Sequence, residues 1–323
     1  MLNNEVDILK ITVLDAATLG SDLDISVLSE VGELKVYDMT SSDLVEERIS
    51  DTEVVVLNKV RLNEENLKNA KNLKLICVAA TGFDNIDIKY CGENNIAVCN
   101  VCGYSTDSVA QLTLSMAFAL KTNLIQFDKF VKSKDYTKSG LMNRLEPVYH
   151  EMSNMIWGII GYGNIGKKVA SVASAMGCEV IVFSRTQKDG VRNVDIDTLC
   201  KISDIISIHT PLNEGTYNII NSERISMMKK DAVFINTARG MVADEEALVN
   251  AVKTGKIGGI GIDVYSKEPF DENHPYNSIL NMNNVILTPH MAWGSYESRV
   301  RCINEITENI KVFYNGGKRN RVI

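Results

Sequence analysis

Proline and histidine are scarce in this 323-residue chain, with five and four copies, and the prolines all lie beyond residue 146. No repeat and no low-complexity tract is present. Apolar residues make up 45% and charged residues 23%, close to the globular average, so disordered and collagen-like readings fail. The chain also lacks a long apolar run. Its longest mostly apolar, uncharged stretch, Ser108 to Leu120, is closed by Asp107 and Lys121. A bilayer span needs about 20 residues, so no membrane partner is expected. The start, Met1-Leu2-Asn3-Asn4-Glu5, lacks the positive segment of an export signal, and a cytoplasmic location is the expectation. An excess of positive charge is missing too. The net charge of −7 argues against an extended nucleic-acid footprint, while leaving room for a local basic site that admits small anions. The cysteines, seven in number and scattered, do not form a disulfide framework. Cys99-Asn100-Val101-Cys102 has CxxC spacing, but no second pair or histidine falls at ligand spacing. They read as buried, reduced, structural thiols, and no metal site is expected.

What is present is alternation. Strand-like runs at Leu9–Leu14, Leu34–Tyr37, Val54–Leu57, Leu73–Ala79 and Ile96–Cys99 are separated by helical stretches such as Ile25–Val31 and Asn63–Ala70. A second series begins at Met155–Ile160 and continues through Glu179–Phe183, Ile205–Ile208, Ala232–Ile235, Gly259–Ile262 and Val285–Leu287. Helical stretches again intervene, among them Asp244–Thr254, with Asp244 placed to cap it and Gly255 to stop it. Such alternation predicts parallel sheets with helices on both faces, an α/β fold of about two domains for this length. Between the two series, Lys121–Asn154 has a helical start and then a polar, irregular stretch around Lys138-Ser139-Gly140; so long an insertion is usually functional or an interface. Tyr296–Tyr314 reads as one amphipathic helix.

Gly161-Tyr162-Gly163-Asn164-Ile165-Gly166 follows a buried strand-like run and opens a helical stretch, Asn164–Met176. In that setting the spacing is a dinucleotide fingerprint. Gly161 permits the tight turn, Gly163 lets the backbone approach a pyrophosphate, and Gly166 lets helix and strand pack closely. Backbone N–H groups near Asn164 and Ile165 would hold the phosphates. An acidic residue at the end of the next strand would favour NAD by binding the ribose hydroxyls. This strand ends Val182-Phe183-Ser184-Arg185-Thr186, with Ser184 in the acidic position. An uncharged residue followed by arginine suits a 2′-phosphate, so NADP(H) is expected to be preferred and NAD(H) remains possible. Otherwise Arg185 is a solvated surface charge.

A hydride enzyme for a 2-oxo acid needs a cation for the carboxylate and carbonyl, a general acid, and a partner for that acid. Of the histidines at 150, 209, 274 and 290, His290 follows the strand-like run Val285–Leu287 in Thr288-Pro289-His290. Arg239, Asp263 and His209 likewise follow strand ends, and Glu268 lies five residues beyond Asp263. Open α/β sheets place their sites at the carboxyl ends of strands.

These residues, in this order, resemble the D-isomer-specific 2-hydroxyacid dehydrogenases. The likeness rests on Gly161–Gly166, His209-Thr210-Pro211-Leu212, Asn236-Thr237-Ala238-Arg239-Gly240, Gly261-Ile262-Asp263-Val264, Glu268-Pro269 and Thr288-Pro289-His290. Ala79-Ala80-Thr81-Gly82-Phe83-Asp84-Asn85-Ile86-Asp87 is similar to the family's substrate-carboxylate loop. Tyr104–Gln111 and His290-Met291-Ala292-Trp293 resemble the glycerate dehydrogenase, hydroxypyruvate and glyoxylate reductase branch.

The resemblance implies two doubly wound parallel-sheet domains. A Rossmann nucleotide-binding domain, 101–289, is inserted in a flavodoxin-like, discontinuous catalytic domain, 1–100 and 290–323, with the site in the cleft between them. It implies a homodimer whose contact includes Lys121–Asn154. Arg239 would grip the substrate carboxylate and polarise the carbonyl, with backbone N–H groups of Thr81 and Gly82 taking the other oxygen. His290 would give or take the proton, and Glu268 would favour its imidazolium form. Asp263 and the backbone near Thr237 and Ala238 would orient the nicotinamide, with His209 and Pro211 also on the cofactor side. Phe83 and Trp293 would line the substrate pocket, or else pack in the core. The implied substrate is hydroxypyruvate or glyoxylate, reduced to the D-hydroxy acid. A D-lactate-type dehydrogenase, a formate or phosphite oxidase, and a non-catalytic dinucleotide sensor are the alternatives; the presence of Arg239, Glu268 and His290 together disfavours the sensor. A regulatory domain beyond residue 323, as in a feedback-regulated phosphoglycerate dehydrogenase, is not expected, and Leu141–Val148 yields no substrate-selecting residue.

Overall fold

Val54–Leu57 and Leu75–Val78 are apolar at every position, which only a sheet covered on both faces tolerates. In the computed structural model, which describes residues 8–323, both are strands buried along their whole length. The first unit runs to Ser105 and resumes at Gly294. It holds β1 (Lys10–Val13), β2 (Glu33–Val36), β3 (Val54–Leu57), β4 (Leu75–Val78) and β5 (Ala97–Cys99) in the order β2-β1-β3-β4-β5, all parallel. This is the flavodoxin-like order. The predicted helical stretch at Ile25–Val31 is a short 3-10 helix, Ser26–Glu30. The helix Tyr296–Tyr314 closes this unit, burying Cys302, Ile303, Ile306 and Ile310 at the three- and four-residue spacing of one helical face. The chain end then adds to the free edge of β5, with Val322 N–H donating to Val98 O at 2.8 Å.

The second unit is Thr106–Trp293. Its strands are β6 (Ile156–Ile160), β7 (Glu179–Phe183), β8 (Arg192–Asn193), β9 (Ile205–Ile208), β10 (Val233–Asn236), β11 (Gly259–Ile262) and β12 (Val285–Leu287). The order β12-β11-β10-β9-β6-β7-β8 is wholly parallel. From β6 the chain winds one way through β7 and β8, then returns to the other side of β6 with β9. That reversal is the topological switch point of a Rossmann sheet, where ligands bind. The borders of the two units, 105/106 and 293/294, compare with the 100/101 and 289/290 expected from sequence.

Lys121–Asn154 differs from its sequence reading in one respect. Lys138 and Ser139 end a short helix, Asp135–Ser139, and only the chain beyond Gly140 is irregular. Neither that helix nor Leu124–Lys132 before it buries a residue. Six of the seven cysteines are buried and free, while Cys102 is exposed rather than buried as expected. Among the described residues no helix is long and apolar enough to cross a membrane.

Candidate active site

The switch point lies between the carboxyl ends of β6 and β9, and Gly161 occupies it. Gly161 has φ +95°, and a methyl group there would lie 2.6 Å from the His209 carbonyl oxygen. Its N–H donates to Phe183 O at 2.9 Å, while His209 N–H donates to Ile160 O at 2.7 Å. A methyl group on Gly166 would lie 2.2 Å from Gly161 O. Gly163 differs: a methyl group there would meet nothing within 4 Å. It precedes the helix Asn164–Ala175, whose first turn has no side-chain cap. Uncapped N–H groups beside open space form an anion site. The His209 ring adds a second sign of a missing partner. Its Nε2 is 3.0 Å from Ser207 Oγ, which also accepts from Trp157 Nε1, yet its Nδ1 is buried without a hydrogen-bond partner among the described residues. Burial lowers the His209 pKa to about 3, so the ring is neutral. An open glycine cradle, an uncapped helix start and an orphaned ring nitrogen all fit a dinucleotide.

At the end of β7, the Ser184 hydroxyl donates to Thr186 O at 2.6 Å. Lys188, which the sequence reading passed over, brings its Nζ to 2.9 Å from Thr186 Oγ1. Asn193 holds Lys188 in place, accepting from its N–H at 2.9 Å and donating to its carbonyl at 2.7 Å. With Arg185, the loop therefore carries two cations beside two hydroxyls.

The reactive groups gather at the ends of β10, β11 and β12. Past β10, the buried Asn236 side chain accepts from Ala238 N–H and donates to Arg239 O, folding the turn that presents Arg239. The Ala238 N–H is thus engaged within the protein, and the Thr237 hydroxyl lies 3.1 Å from that of Thr113. Arg239 is half-buried and donates to Ala238 O. Pro211, past β9, accepts from Thr216 Oγ1 through its carbonyl.

Asp263 directly follows β11 and is fully buried. Its carboxylate accepts from Thr288 Oγ1 at 2.6 Å and from Met291 and Ala292 N–H, both at 2.9 Å. Desolvation raises the Asp263 pKa against these bonds and the nearby charge of His290. Sequence reasoning gave Asp263 a place beside the nicotinamide; in the structure both its oxygens hold the loop that carries His290. That loop puts His290 in a left-handed conformation, φ +51°, uncommon for a residue other than glycine. His290 Nδ1 lies 2.5 Å from Glu268 Oε2, and Glu268 Oε1 accepts from Tyr265 N–H at 2.9 Å. The Tyr265 hydroxyl donates to Thr288 O at 2.9 Å, and burial raises its pKa to about 12, keeping it a donor. Trp293 donates from its indole to His290 O. Sequence reasoning also missed Asn236, Tyr265 and Thr288 as the supports of this group.

In the first unit, the loop after β4 carries Thr81 and Gly82. The Thr81 hydroxyl donates to Val101 O, and Asn100 Nδ2 donates to Thr81 O at 2.7 Å. Phe83 packs against that unit's core.

A hydrogen-bonded histidine–carboxylate pair, a neighbouring arginine and a dinucleotide cradle on one sheet are the parts of a hydride-transfer enzyme for an oxo acid. Comparison with known proteins agrees. A family model described as the NAD binding domain of the D-isomer specific 2-hydroxyacid dehydrogenases matches residues 114–292, more than half the chain. The chain belongs to that family. It is 34% identical over 314 residues to the glycerate dehydrogenase of Methylorubrum extorquens, covering 97% of this chain and 98% of that one. It is 32% identical over 323 residues to the hydroxypyruvate reductase of Blautia hydrogenotrophica, covering 97% and 99%. Among solved structures, an acyclic imino acid reductase in complex with NADPH and D-Arg matches with a TM-score of 0.86 at 31% identity, covering 98% of this chain and 100% of that one. This D-2-hydroxyacid dehydrogenase is therefore an oxidoreductase acting on CH–OH with a nicotinamide dinucleotide.

Proposed function

We propose that this dehydrogenase reduces hydroxypyruvate or glyoxylate to the D-hydroxy acid, with His290 and Glu268 as its acid–base pair and Arg239 holding the substrate carboxylate. The contact between His290 Nδ1 and Glu268 Oε2 carries the reading. A carboxylate at Nδ1 fixes the ring and engages that nitrogen, which leaves Nε2 as the nitrogen that exchanges a proton with substrate. In reduction, Nε2–H gives its proton to the carbonyl oxygen as the carbon takes the hydride; in oxidation neutral Nε2 removes the hydroxyl proton. The nicotinamide dinucleotide supplies or accepts the hydride when bound. The Arg239 guanidinium binds the substrate carboxylate and draws charge toward the carbonyl oxygen. Trp293 limits the size of the substrate. Thr237 and Ala238 shape the nicotinamide end, Asp263 supports it through the loop that carries His290, and His209 and Pro211 shape the rest of the cofactor site.

The two named relatives support a three-carbon substrate of the glycerate and hydroxypyruvate pair. A kcat/KM screen of hydroxypyruvate, glyoxylate, pyruvate and bulky 2-oxo acids tests it. A branched or aromatic 2-oxo acid as best substrate overturns the substrate claim.

NADPH is the proposed preferred cofactor, with NADH also used. Position 184 lacks the acid that would repel a 2′-phosphate, Arg185 and Lys188 supply charge, and a related reductase is described with NADPH. The six buried free thiols accord with a reducing, cytoplasmic compartment.

A homodimer is proposed through the segment Lys121–Asn154. Leu124, Val131, Leu141, Leu145, Val148 and Tyr149 are all more than half exposed there, and Met142 is 94% exposed. A surface this apolar marks an interaction site. Sedimentation as a monomer at micromolar concentration overturns this.

A further inference from the structure

We propose that Glu245 is a positioning residue for the Glu268–His290 pair, acting through the turn Tyr265–Glu268 and braced by His274. The inference rests on the acid–base reading above and extends it to a buried cluster on the far side of that turn.

Glu245 is the first residue of the helix Glu245–Lys253, which Asp244 already caps by accepting from Ala247 N–H. A glutamate in a capped first turn ordinarily faces water and interacts only with the helix dipole. This one is 10% exposed, and the His274 side chain beside it 6%. The Glu245 carboxylate accepts from Ser266 N–H at 2.9 Å and from the Ser266 hydroxyl, and its Oε2 lies 3.1 Å from His274 Nε2. His274 Nδ1 accepts from Tyr276 N–H, and its buried Nε2 has no hydrogen-bond partner among the described residues. The ring sits among Tyr265, Phe270 and Tyr276, with centroids 6.1, 4.8 and 5.1 Å away. Burying a carboxylate is unfavourable unless donors surround it. Two do, both on Ser266, while His274 Nε2 stands 3.1 Å from the carboxylate without a hydrogen bond among the described residues.

Ser266 is joined to Tyr265, whose N–H holds Glu268 Oε1, and Glu268 Oε2 meets His290. The Tyr265–Ser266 peptide also lies against Gly240, the residue after Arg239; a methyl group there would come within 2.0 Å of the Tyr265 carbonyl carbon. Tyr265 therefore borders Gly240 through its carbonyl and holds Glu268 through its N–H, while the next N–H, of Ser266, is held by Glu245. Tyr265 and Thr288 anchor one end of the turn, and Glu245 anchors the Ser266 end. The ionisable groups around Glu245 are Asp244, Tyr265, His274 and Tyr276, and Tyr265 also feels Glu268 and Asp263.

The test is a double-mutant cycle on the intact enzyme, reading kcat, both KM values, the pH profile of kcat, melting temperature and NADPH affinity by direct titration. Glu245→Ala is expected to lower kcat about 10- to 100-fold, the range expected when a reacting group is misplaced. NADPH affinity should be unchanged, and the pH profile should move in the same direction as in Glu268→Gln. If Glu245 acts through Glu268, the double variant loses no more kcat than Glu268→Gln alone. Glu245→Gln keeps the acceptor for Ser266 N–H and loses the others, so its loss should be smaller, and it carries the same cycle if Glu245→Ala does not fold. Additive losses, or a lowered melting temperature with wild-type kcat and pH profile, overturn the positioning role alone. An inert Glu268→Gln overturns the acid–base reading and this inference with it.

Discussion

Gly161 and Gly163 are two residues apart, yet they should fail differently when each is changed to alanine. At Gly161 the backbone has φ +95°, and a methyl group would meet the His209 carbonyl oxygen at 2.6 Å, its carbon at 2.7 Å and Thr210 N at 3.0 Å. All three are backbone atoms on a neighbouring strand end and cannot rotate away. The left-handed conformation alone costs an alanine about 1–3 kcal/mol, and the clash adds to it. For a unit of this size each kcal/mol lowers the melting temperature by roughly 2–4 °C. Gly161→Ala should therefore melt about 5–15 °C lower. Gly163 has φ −86° and nothing within 4 Å of a methyl group. Gly163→Ala should melt within 2 °C or so of wild type, since a surface change away from special features stays within about 0.5 kcal/mol. Its loss should appear in dinucleotide affinity, because the space the methyl group fills is the space a pyrophosphate needs. Losing one charge-assisted hydrogen bond of about 1.5–3 kcal/mol weakens binding roughly 10- to 150-fold. Thermal melts without cofactor and fluorescence titration with NADPH read the two quantities separately. Wild-type affinity in Gly163→Ala, or an unchanged melt in Gly161→Ala, refutes the reasoning.

His290→Ala should lower kcat by about 10²–10⁴-fold at unchanged NADPH affinity; near-wild-type kcat would mean that the acid is elsewhere. Glu268→Gln should lower kcat and alter its pH profile, because an amide replaces the carboxylate that holds His290 Nδ1, and Arg239→Lys should lose the paired geometry that a guanidinium gives a carboxylate. Ser184→Asp should shift preference toward NADH by raising the KM for NADPH, and Arg185→Ala or Lys188→Ala should lower NADPH preference by up to about 10-fold; an unchanged cofactor ratio in both lysine and arginine variants makes them surface charges only. The raised Asp263 carboxyl binds its proton in the folded state at a pH where the unfolded chain has released it, so its contribution to stability falls as pH rises from the ordinary carboxylate range through the folded value. Asp263→Asn should flatten that part of a melting-temperature profile, and an unaltered slope would show that the group is not responsible.

Much of the fold was legible because buried parallel strands are short apolar runs between polar boundaries. Val54–Leu57, Glu179–Phe183, Ile205–Ile208, Gly259–Ile262 and Val285–Leu287 occupy the residues their runs predicted. So does Tyr296–Tyr314, whose periodicity follows the face it buries. Two elements left no comparable signal. Arg192–Asn193 is a strand only because it pairs with Ile181 and Val182, and neither residue is apolar. The helix Ile196–Ile202 is short and marked chiefly by Asp195, which caps it by accepting from Thr198 N–H.

The chemical side chains were legible for a different reason: each stands at or shortly after a strand end, where a single residue type stands out. Their supports were not. Glu245, His274, Asn236 and Thr288 matter through the groups they touch, and those contacts exist only once β10, β11 and β12 lie side by side. His290 shows what the supports must accomplish. Nothing in Thr288-Pro289-His290 announces a left-handed residue, and neither glycine nor asparagine stands there to make one easy. A strained conformation costs about 1–3 kcal/mol and persists only where its surroundings over-determine it. Here Thr288 O accepts the His290 N–H, Asp263 takes the next two N–H groups, Thr288 is bound by its hydroxyl, and Trp293 returns a bond to the His290 carbonyl. Burying the Asp263 carboxylate is itself unfavourable, as its raised pKa records. The strained turn and the buried acid are one arrangement: the carboxylate gains its donors from the turn, the turn is held by the carboxylate, and the imidazole is delivered to Glu268 at 2.5 Å.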